Sequence, residues 1–289
     1  MYLKGQIRQS LSGYYDVVTP DGEEVRTRAR GVFRKKRQSP LVGDWVDFKV
    51  EHDEGYLLKI YPRKNQLIRP AIANVDAAIV VSACVQPDFS SNLLDRQLIM
   101  LESNKIMPIL YFSKVDLLNE DQKSSMDKIF DYYKKFYPIA TSIDDMLDLL
   151  NTISEKVIVV MGQTGAGKST LLNKIDPELN LQTGEISKAL SRGKHTTRKV
   201  TLISVQDNLI ADTPGFSSFD LLEISKEELP NYYPDFIIYR DKCKYRGCLH
   251  VNEPGCAVKD AVASNEILQS RYDNYLQFHK MILQQKPKY

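Results

Sequence analysis

The segment Gly162-Gln163-Thr164-Gly165-Ala166-Gly167-Lys168-Ser169, followed by Thr170, fits the pattern G-x-x-x-x-G-K-[ST]. The chemistry of that pattern is phosphate binding. Its glycines let backbone N–H groups close around phosphate oxygens, and a helix starting at the lysine adds its N-terminal dipole. Lys168 then meets the β and γ oxygens, and the Ser169 hydroxyl is offered to Mg²⁺. The loop follows KVIVVM, which reads as a buried strand, and leads into STLLNKI, which reads as a helix. A mere strand-to-helix turn is the bland alternative, and the fit of pattern to context weighs against it.

Three further segments take their meaning from this one. Asp212-Thr213-Pro214-Gly215 closes the apolar stretch VTLISVQDNLIA, where a carboxylate at a strand's C-terminal edge can hold Mg²⁺ through water while the Gly215 N–H faces a γ-phosphate. Gly193-Lys194-His195-Thr196-Thr197-Arg198 lies between the two in a polar stretch, placed for a switch loop whose threonine, Thr197 or else Thr196, completes the metal shell. Ser113-Lys114-Val115-Asp116 follows the strand-like IMPILYF and resembles the [NT]-K-x-D guanine motif. There Asp116 would accept two hydrogen bonds from the guanine edge and the Lys114 stem would lie over the ring. Adenine presents the wrong edge to that carboxylate. Ala140-Thr141-Ser142 would be the small-residue loop whose backbone supports the guanine carbonyl. Ordinary GTPases run from phosphate loop through switch threonine and DxxG to the guanine motif, whereas here the last two elements come first. The order is that of a circular permutation, which preserves contacts where the old termini lie close together.

A second constellation is Cys243-x4-Cys248-x-His250-x5-Cys256. Three thiolates and one imidazole suffice for a closed tetrahedral Zn²⁺ site, structural because no position remains open for water. Cys84 stands apart in an apolar stretch and reads as a core residue, and His52 and His279 read as ordinary surface or packing residues.

The elements that must hold these groups follow from hydrophobic patterning. Residues 1–63 read as short strands with turns, including Pro20-Asp21-Gly22, and predict a small barrel or sandwich with the oligonucleotide-binding (OB) barrel as the natural candidate. Residues 64–225 have βαβ texture. DAAIVVSA reads as a buried parallel strand, NLLDRQLIMLESN as a helix, and further helices are expected over 124–136 and after Thr141. Residues 226–289 hold the Cys/His cluster and a C-terminal helix with Ile267, Tyr275, Phe278 and Ile282 on one side. The expected class is thus a permuted α/β P-loop fold between an all-β barrel and a zinc-binding, partly helical segment.

Composition sets outer bounds. With 39 basic and 37 acidic residues among 289, the net charge of +2 points to no partner. The run Arg26, Arg28, Arg30, Arg34, Lys35, Lys36 and Arg37 contains no acidic residue, and it is either a phosphate-binding patch or a solvated loop. Apolar runs such as 77–81 and 157–161 fall far short of the roughly 20 residues that span a bilayer. The start MYLKGQIRQS lacks the apolar core of a signal peptide. A cytoplasmic monomer with no membrane partner is the expectation.

Taken together, RARGVFRKK, PLVGDWVDF, ANVD, LLDRQL, GQTGAGKST, SRGKHTTR, DTPGF, the C-x4-C-x-H-x5-C cluster and RYDNY make the chain resemble the ribosome small-subunit-dependent GTPase family (RsgA, also called YjeQ or YloQ). The resemblance implies hydrolysis of GTP to GDP, stimulated by the small (30S) subunit during its late maturation, with the basic barrel residues and zinc segment on rRNA. Two positions depart from common GTPase patterns. Ser113 replaces the usual Asn or Thr, and Phe216 stands where Ras-like enzymes carry their water-orienting glutamine. His195, just before the switch threonines, is then the candidate to orient or deprotonate water, beside Lys168 and Thr197 as the other catalytic candidates. Two rivals are an ATPase and an RNA-binding assembly factor for which nucleotide is only a structural or regulatory ligand.

Overall fold

The computed structural model describes residues 2–35, 38–52, 54–68, 70–179, 200–205, 207–212 and 224–285, with backbone alone for Arg34, Lys35 and Asp212. Five strands open the chain: β1 (Leu3–Leu11), β2 (Tyr14–Val18), β3 (Glu24–Ala29), β4 (Trp45–Glu51) and β5 (Glu54–Ile60). β1 pairs with β2 and β4, β2 with β3, β3 in parallel with β5, and β5 with β4. That circuit closes a barrel and leaves none of the five as a bare edge. Alternation fills it. Ile7, Val17, Thr27, Val46, Phe48 and Leu57 point inward and are fully buried, while Trp45, Asp47 and Lys49 between them face outward. The stretch EEVRTRARGVF reads as strand to Phe33, but β3 stops at Ala29 and a short helix α1 (Gly31–Lys35) takes up its end.

A small hairpin, β6 (Gln66–Leu67) and β7 (Ile72–Ala73), leads into the α/β region. Here β8 (Ala77–Ala83), β9 (Met107–Ser113), β10 (Ile139–Ala140), β11 (Val157–Met161) and β13 (Asn208–Asp212) lie parallel in the order 10-9-8-11-13. β12 (Val200–Val205) joins antiparallel to β13 and pairs on its other side with β1, Gln9 opposite Thr201. Barrel and α/β region therefore share one eleven-stranded sheet. The strands are apolar on both faces because helices cover both. α2 (Ser91–Ser103) and α3 (Glu120–Tyr133) pack beside Ala78, Val80, Leu110 and Phe112, whereas α4 (Ile143–Asn151) and α5 (Lys168–Ile175) pack beside Ile79, Val81, Ile109 and Ile158. α3 starts four residues earlier than its apolar spacing implies because Asn119 and Gln122 form a reciprocal capping box.

The C-terminal segment adds α6 (Pro234–Arg240), α7 (Ala257–Ala263) and α8 (Gln269–Leu283). Leu229, Tyr233, Phe236, Val258, Tyr275 and Phe278 form their own core, which also takes in Ile99 of α2. Ile267 is fully buried there but precedes α8 rather than belonging to it. Among the described residues, no helix is long and apolar enough to cross a membrane.

Candidate nucleotide site and metal cluster

Parallel strands deliver their C-terminal ends to one edge of the sheet, the edge where open α/β sheets bind ligands. Ser113, Ala140, Met161 and Asp212 end β9, β10, β11 and β13 at that edge. The phosphate-loop pattern begins one residue beyond Met161. Gly162 has φ 145°, and a Cβ on it would sit 2.2 Å from the carbonyl oxygen of Val81. Gly165 and Gly167 adopt left-handed conformations, φ 81° and 97°, with Gly167 as N-cap of α5. Gly162→Ala is therefore expected to displace the loop from β8 and to weaken guanine-nucleotide binding at least about 100-fold, a loss equilibrium titration of labelled GDP would read.

Lys168 Nζ donates to the carbonyls of Gly162 and Gln163, both at 2.8 Å. It thus bridges the loop from within, and partial burial lowers its pKa from the ordinary lysine value. Ser169 is half-buried in the first turn of α5, while Thr164 and Thr170 are exposed. Ala166 is fully buried, and its carbonyl accepts from Ser113 Oγ at 2.6 Å. This last bond joins the guanine-motif segment to the phosphate loop. The smaller Ser113 side chain can therefore still hold the two loops together.

After Ser113 the backbone turns sharply. Lys114 is left-handed at φ 60°, its ammonium donates to the Gln86 carbonyl, and Val115–Leu117 form a 3-10 turn. Asp116 lies in this turn with its carboxylate exposed. The adjacent Thr141 and Ser142 amides, together with the Thr141 hydroxyl, all donate to Asp145 Oδ2 at 3.0 to 3.1 Å. Those bonds, the Thr141 amide first, hold the Asp145 carboxyl below its usual range. They also commit to Asp145 the two N–H groups that follow Ala140 in the small-residue loop. His195, Thr196, Thr197, Arg198, Gly215 and Phe216 lie outside the described residues, as does the Asp212 side chain.

The basic stretch is less bare in three dimensions than in one. Arg26 makes a two-pronged pair with Asp16 at 2.8 and 3.1 Å, Arg28 lies 3.8 Å from Glu54, and Arg30 lies 3.6 Å from Glu51. Neighbouring strands supply the acids that the linear run lacks. The same strands place rings beneath the cations: Tyr14 under Arg28 at 4.6 Å and Tyr56 under Arg30 at 5.7 Å. Lys36 and Arg37 lie outside the described residues, as do the side chains of Arg34 and Lys35.

In the C-terminal segment, the ligand atoms of Cys243, Cys248, His250 and Cys256 all lie within 4.8 Å of one another. His250 Nδ1 is 3.7 Å from Cys243 Sγ and 3.3 Å from Cys256 Sγ. Tetrahedral Zn²⁺ with ordinary bond lengths sets nitrogen and sulfur roughly 3.5 Å apart, so the residues fit such an ion. Hydrogen bonds and a ring contact brace the frame around them. Tyr272 OH donates to the His250 carbonyl at 2.7 Å, and Glu253 accepts the Leu249 and Val251 amides at 3.0 and 2.9 Å. Phe236 sets its ring edge-on to the imidazole at 5.7 Å. The cluster is thus a candidate metal-binding site, and treatment with a chelator is expected to loosen the packing of Tyr272 and Tyr275, read as a loss of near-ultraviolet circular dichroism.

One buried cluster escapes sequence reasoning. Arg271, 1% exposed, pairs through Nε and Nη2 with Asp235 at 2.7 and 3.1 Å and through Nη1 with Asp95. Tyr132 and Tyr133 donate to Asp235 and Asp95 at 2.6 Å each, and Asn274 Nδ2 donates to Asp95 at 2.8 Å. The cluster joins α2 and α3 to α6 and α8. LLDRQL and RYDNY contain Asp95 and Arg271, yet nothing in their spacing says that they meet.

Comparison with known proteins agrees with this layout. The family described as RsgA GTPase matches residues 60–222, and that described as RsgA N-terminal domain matches residues 4–57. The small ribosomal subunit biogenesis GTPase RsgA of Leuconostoc citreum is 53% identical, over 99% of this chain and 97% of its own. Its Streptococcus pneumoniae counterpart is 51% identical over 96% and 93%. Among solved structures, YloQ, described as a circularly permuted GTPase, superposes with a TM-score of 0.83 at 40% identity, covering all of this chain and 98% of its own. YjeQ from Thermotoga maritima superposes with a TM-score of 0.85 at 31% identity over 99% and 100%. With a family match across more than half its length and relatives of this identity along nearly all of it, the chain belongs to the RsgA GTPase family.

Proposed function

We propose that this protein hydrolyses GTP to GDP and phosphate as a biogenesis factor of the small ribosomal subunit, bound to that subunit and stimulated by it. The observation that carries the reading is the Ser113–Ala166 hydrogen bond, which sets a guanine-type motif directly against a phosphate loop. Its relatives bear the same activity in their names. Three units would divide the work: a barrel over residues 1–63, the permuted GTPase over 64–225, and a zinc unit over 226–289. A cytoplasmic monomer is the working form.

Hydrolysis here rests on positioning and charge rather than on a covalent intermediate. Asp116 accepts the guanine N–H edge, and the Lys114 stem covers the ring. Phosphate oxygens enter the cradle of amides from Gly162 to Thr170, where Lys168 exchanges its two loop carbonyls for the β and γ oxygens. Mg²⁺, held by Ser169, Thr197 and, through water, Asp212, would neutralise charge developing on those oxygens. The Gly215 amide senses the γ-phosphate. His195 orients or deprotonates the attacking water when the subunit is bound. His195→Ala is accordingly expected to abolish subunit-stimulated hydrolysis while leaving GTP affinity within about twofold of wild type. Retained stimulation would remove His195 from the mechanism.

Arg26, Arg28, Arg30 and the basic residues through Arg37, with the Zn²⁺-bound segment, would meet rRNA phosphates. Counterion release then makes subunit binding fall steeply with added salt. Phosphate release measured with and without 30S subunits tests the whole reading. A subunit-dependent rise supports it, and its lack would favour a nucleotide-regulated RNA-binding factor. Displacement of labelled GDP by ATP at equal concentration would end the claim to guanine specificity.

A further inference from the structure

LLDRQL contains a residue that the proposed chemistry leaves unused. Gln97 lies on α2, two positions after Asp95, so the two side chains leave the helix on nearly opposite faces. Asp95 faces Arg271 and Asn274 of α8. Gln97 is 1% exposed, and among the described residues its Nε2 has no hydrogen-bond partner. A buried amide donor rarely goes without an acceptor, and where the protein supplies none an ordered water commonly does. The residue also borders a small cavity of about 10 Å³ whose walls are mainly apolar, from Val81, Ala83, Phe89, Leu93 and Leu94, with Ser82, Ser90 and Gln163 of the phosphate loop as its other polar groups. That volume holds one water molecule.

We propose that Gln97 is a positioning residue for the phosphate loop, acting through a single buried water that it shares with Gln163. Gln163 is the point in the loop where such support matters. Its carbonyl accepts both Lys168 Nζ, at 2.8 Å, and the Ala166 amide, at 3.2 Å. A shift of Gln163 therefore moves the ammonium that meets the phosphates and the residue that Ser113 holds. Gln97 in turn sits on a helix that Asp95 ties to Arg271, so the loop's support reaches back to α8. The inference deepens the proposed function and rests on the phosphate-loop reading.

The test uses the full chain, labelled GDP and thermal unfolding. Gln97→Met keeps the length and removes the donor. Its melting temperature is expected to stay close to that of wild type, while GDP affinity falls about five- to tenfold, the worth of one net hydrogen bond. Gln163→Met should lose the same amount, and the double variant no more than either single, because both cut the same link. GDP affinity within twofold of wild type in Gln97→Met, or losses that multiply in the double variant, would overturn the proposal. Should Gln97→Met fail to fold, Gln163→Met alone decides, unchanged affinity being the contrary result. Lys168→Ala is the separate control: undiminished binding there would sink the phosphate-loop reading itself, whatever Gln97 does.

Discussion

Lys168→Ala is expected to lower kcat/KM for GTP hydrolysis about 10³-fold, or ~4 kcal/mol, with only a small change in melting temperature. Two effects compete in that substitution. Removing the ammonium forfeits its attraction for the triphosphate, worth about 4 kcal/mol for one unit-charge pair at 4 Å and an effective dielectric constant of 20. It also leaves the Gly162 and Gln163 carbonyls without their shared donor. Those carbonyls belong to a loop at the open edge of the sheet, where water can replace the donor, so each bond contributes about 1 kcal/mol net at most. The electrostatic loss dominates, and it falls on the nucleotide rather than on the fold. Single-turnover hydrolysis and equilibrium GDP titration separate the two; a variant within tenfold of wild type in kcat/KM would refute the role.

The reverse division is expected at Arg271. Arg271→Leu leaves Asp95 and Asp235, both fully buried, without their cation. Breaking one side of a buried ion pair costs about 3–5 kcal/mol, here a fall of about 10 °C in melting temperature. The pH dependence carries a sign of its own. Burial already raises the Asp95 pKa above the usual carboxylate value in the intact cluster, where Arg271, Tyr133 and Asn274 oppose that rise. Loss of Arg271 raises it further. A carboxylate whose folded pKa exceeds its unfolded one contributes stability that is present below the unfolded value and is lost as pH climbs through the folded one. The deficit of the variant should therefore shrink on acidification from pH 7 towards pH 5, read as converging urea midpoints. Adding Asp95→Asn should recover part of the loss at pH 7. A deficit independent of pH would show that packing around Tyr133 and Tyr233, rather than charge, is what the guanidinium secures.

Both predictions depend on residues whose legibility in the sequence differs sharply. Lys168 was visible because a phosphate loop is a local object, eight contiguous residues between a buried strand and a helix, with glycines at Gly162, Gly165 and Gly167 where the backbone has positive φ. The metal cluster was visible for the same reason, four ligands within residues 243–256. Strands with two buried faces and helices with one apolar side also announce themselves by their period. Boundaries were blurred where caps rather than periodicity set them, as at Asn119, and where Ala29 ends a strand that the pattern would continue.

The sequence by itself thus determined the local candidates, a phosphate-loop pattern, a guanine-type motif and a Cys/His cluster, and the permuted order in which they stand. Only the tertiary structure decided which distant groups meet. Ser113 and Ala166 are 53 residues apart, and Arg271 and Asp95 are 176 apart. Asp16, Glu51 and Glu54 answer arginines that stand unopposed in the linear run, and β1 closes the barrel while extending the GTPase sheet through β12. The physical reason is common to all of these. A buried or crowded charge must find a partner, but the chain can bring that partner from any element, and neither composition nor spacing records which one arrives.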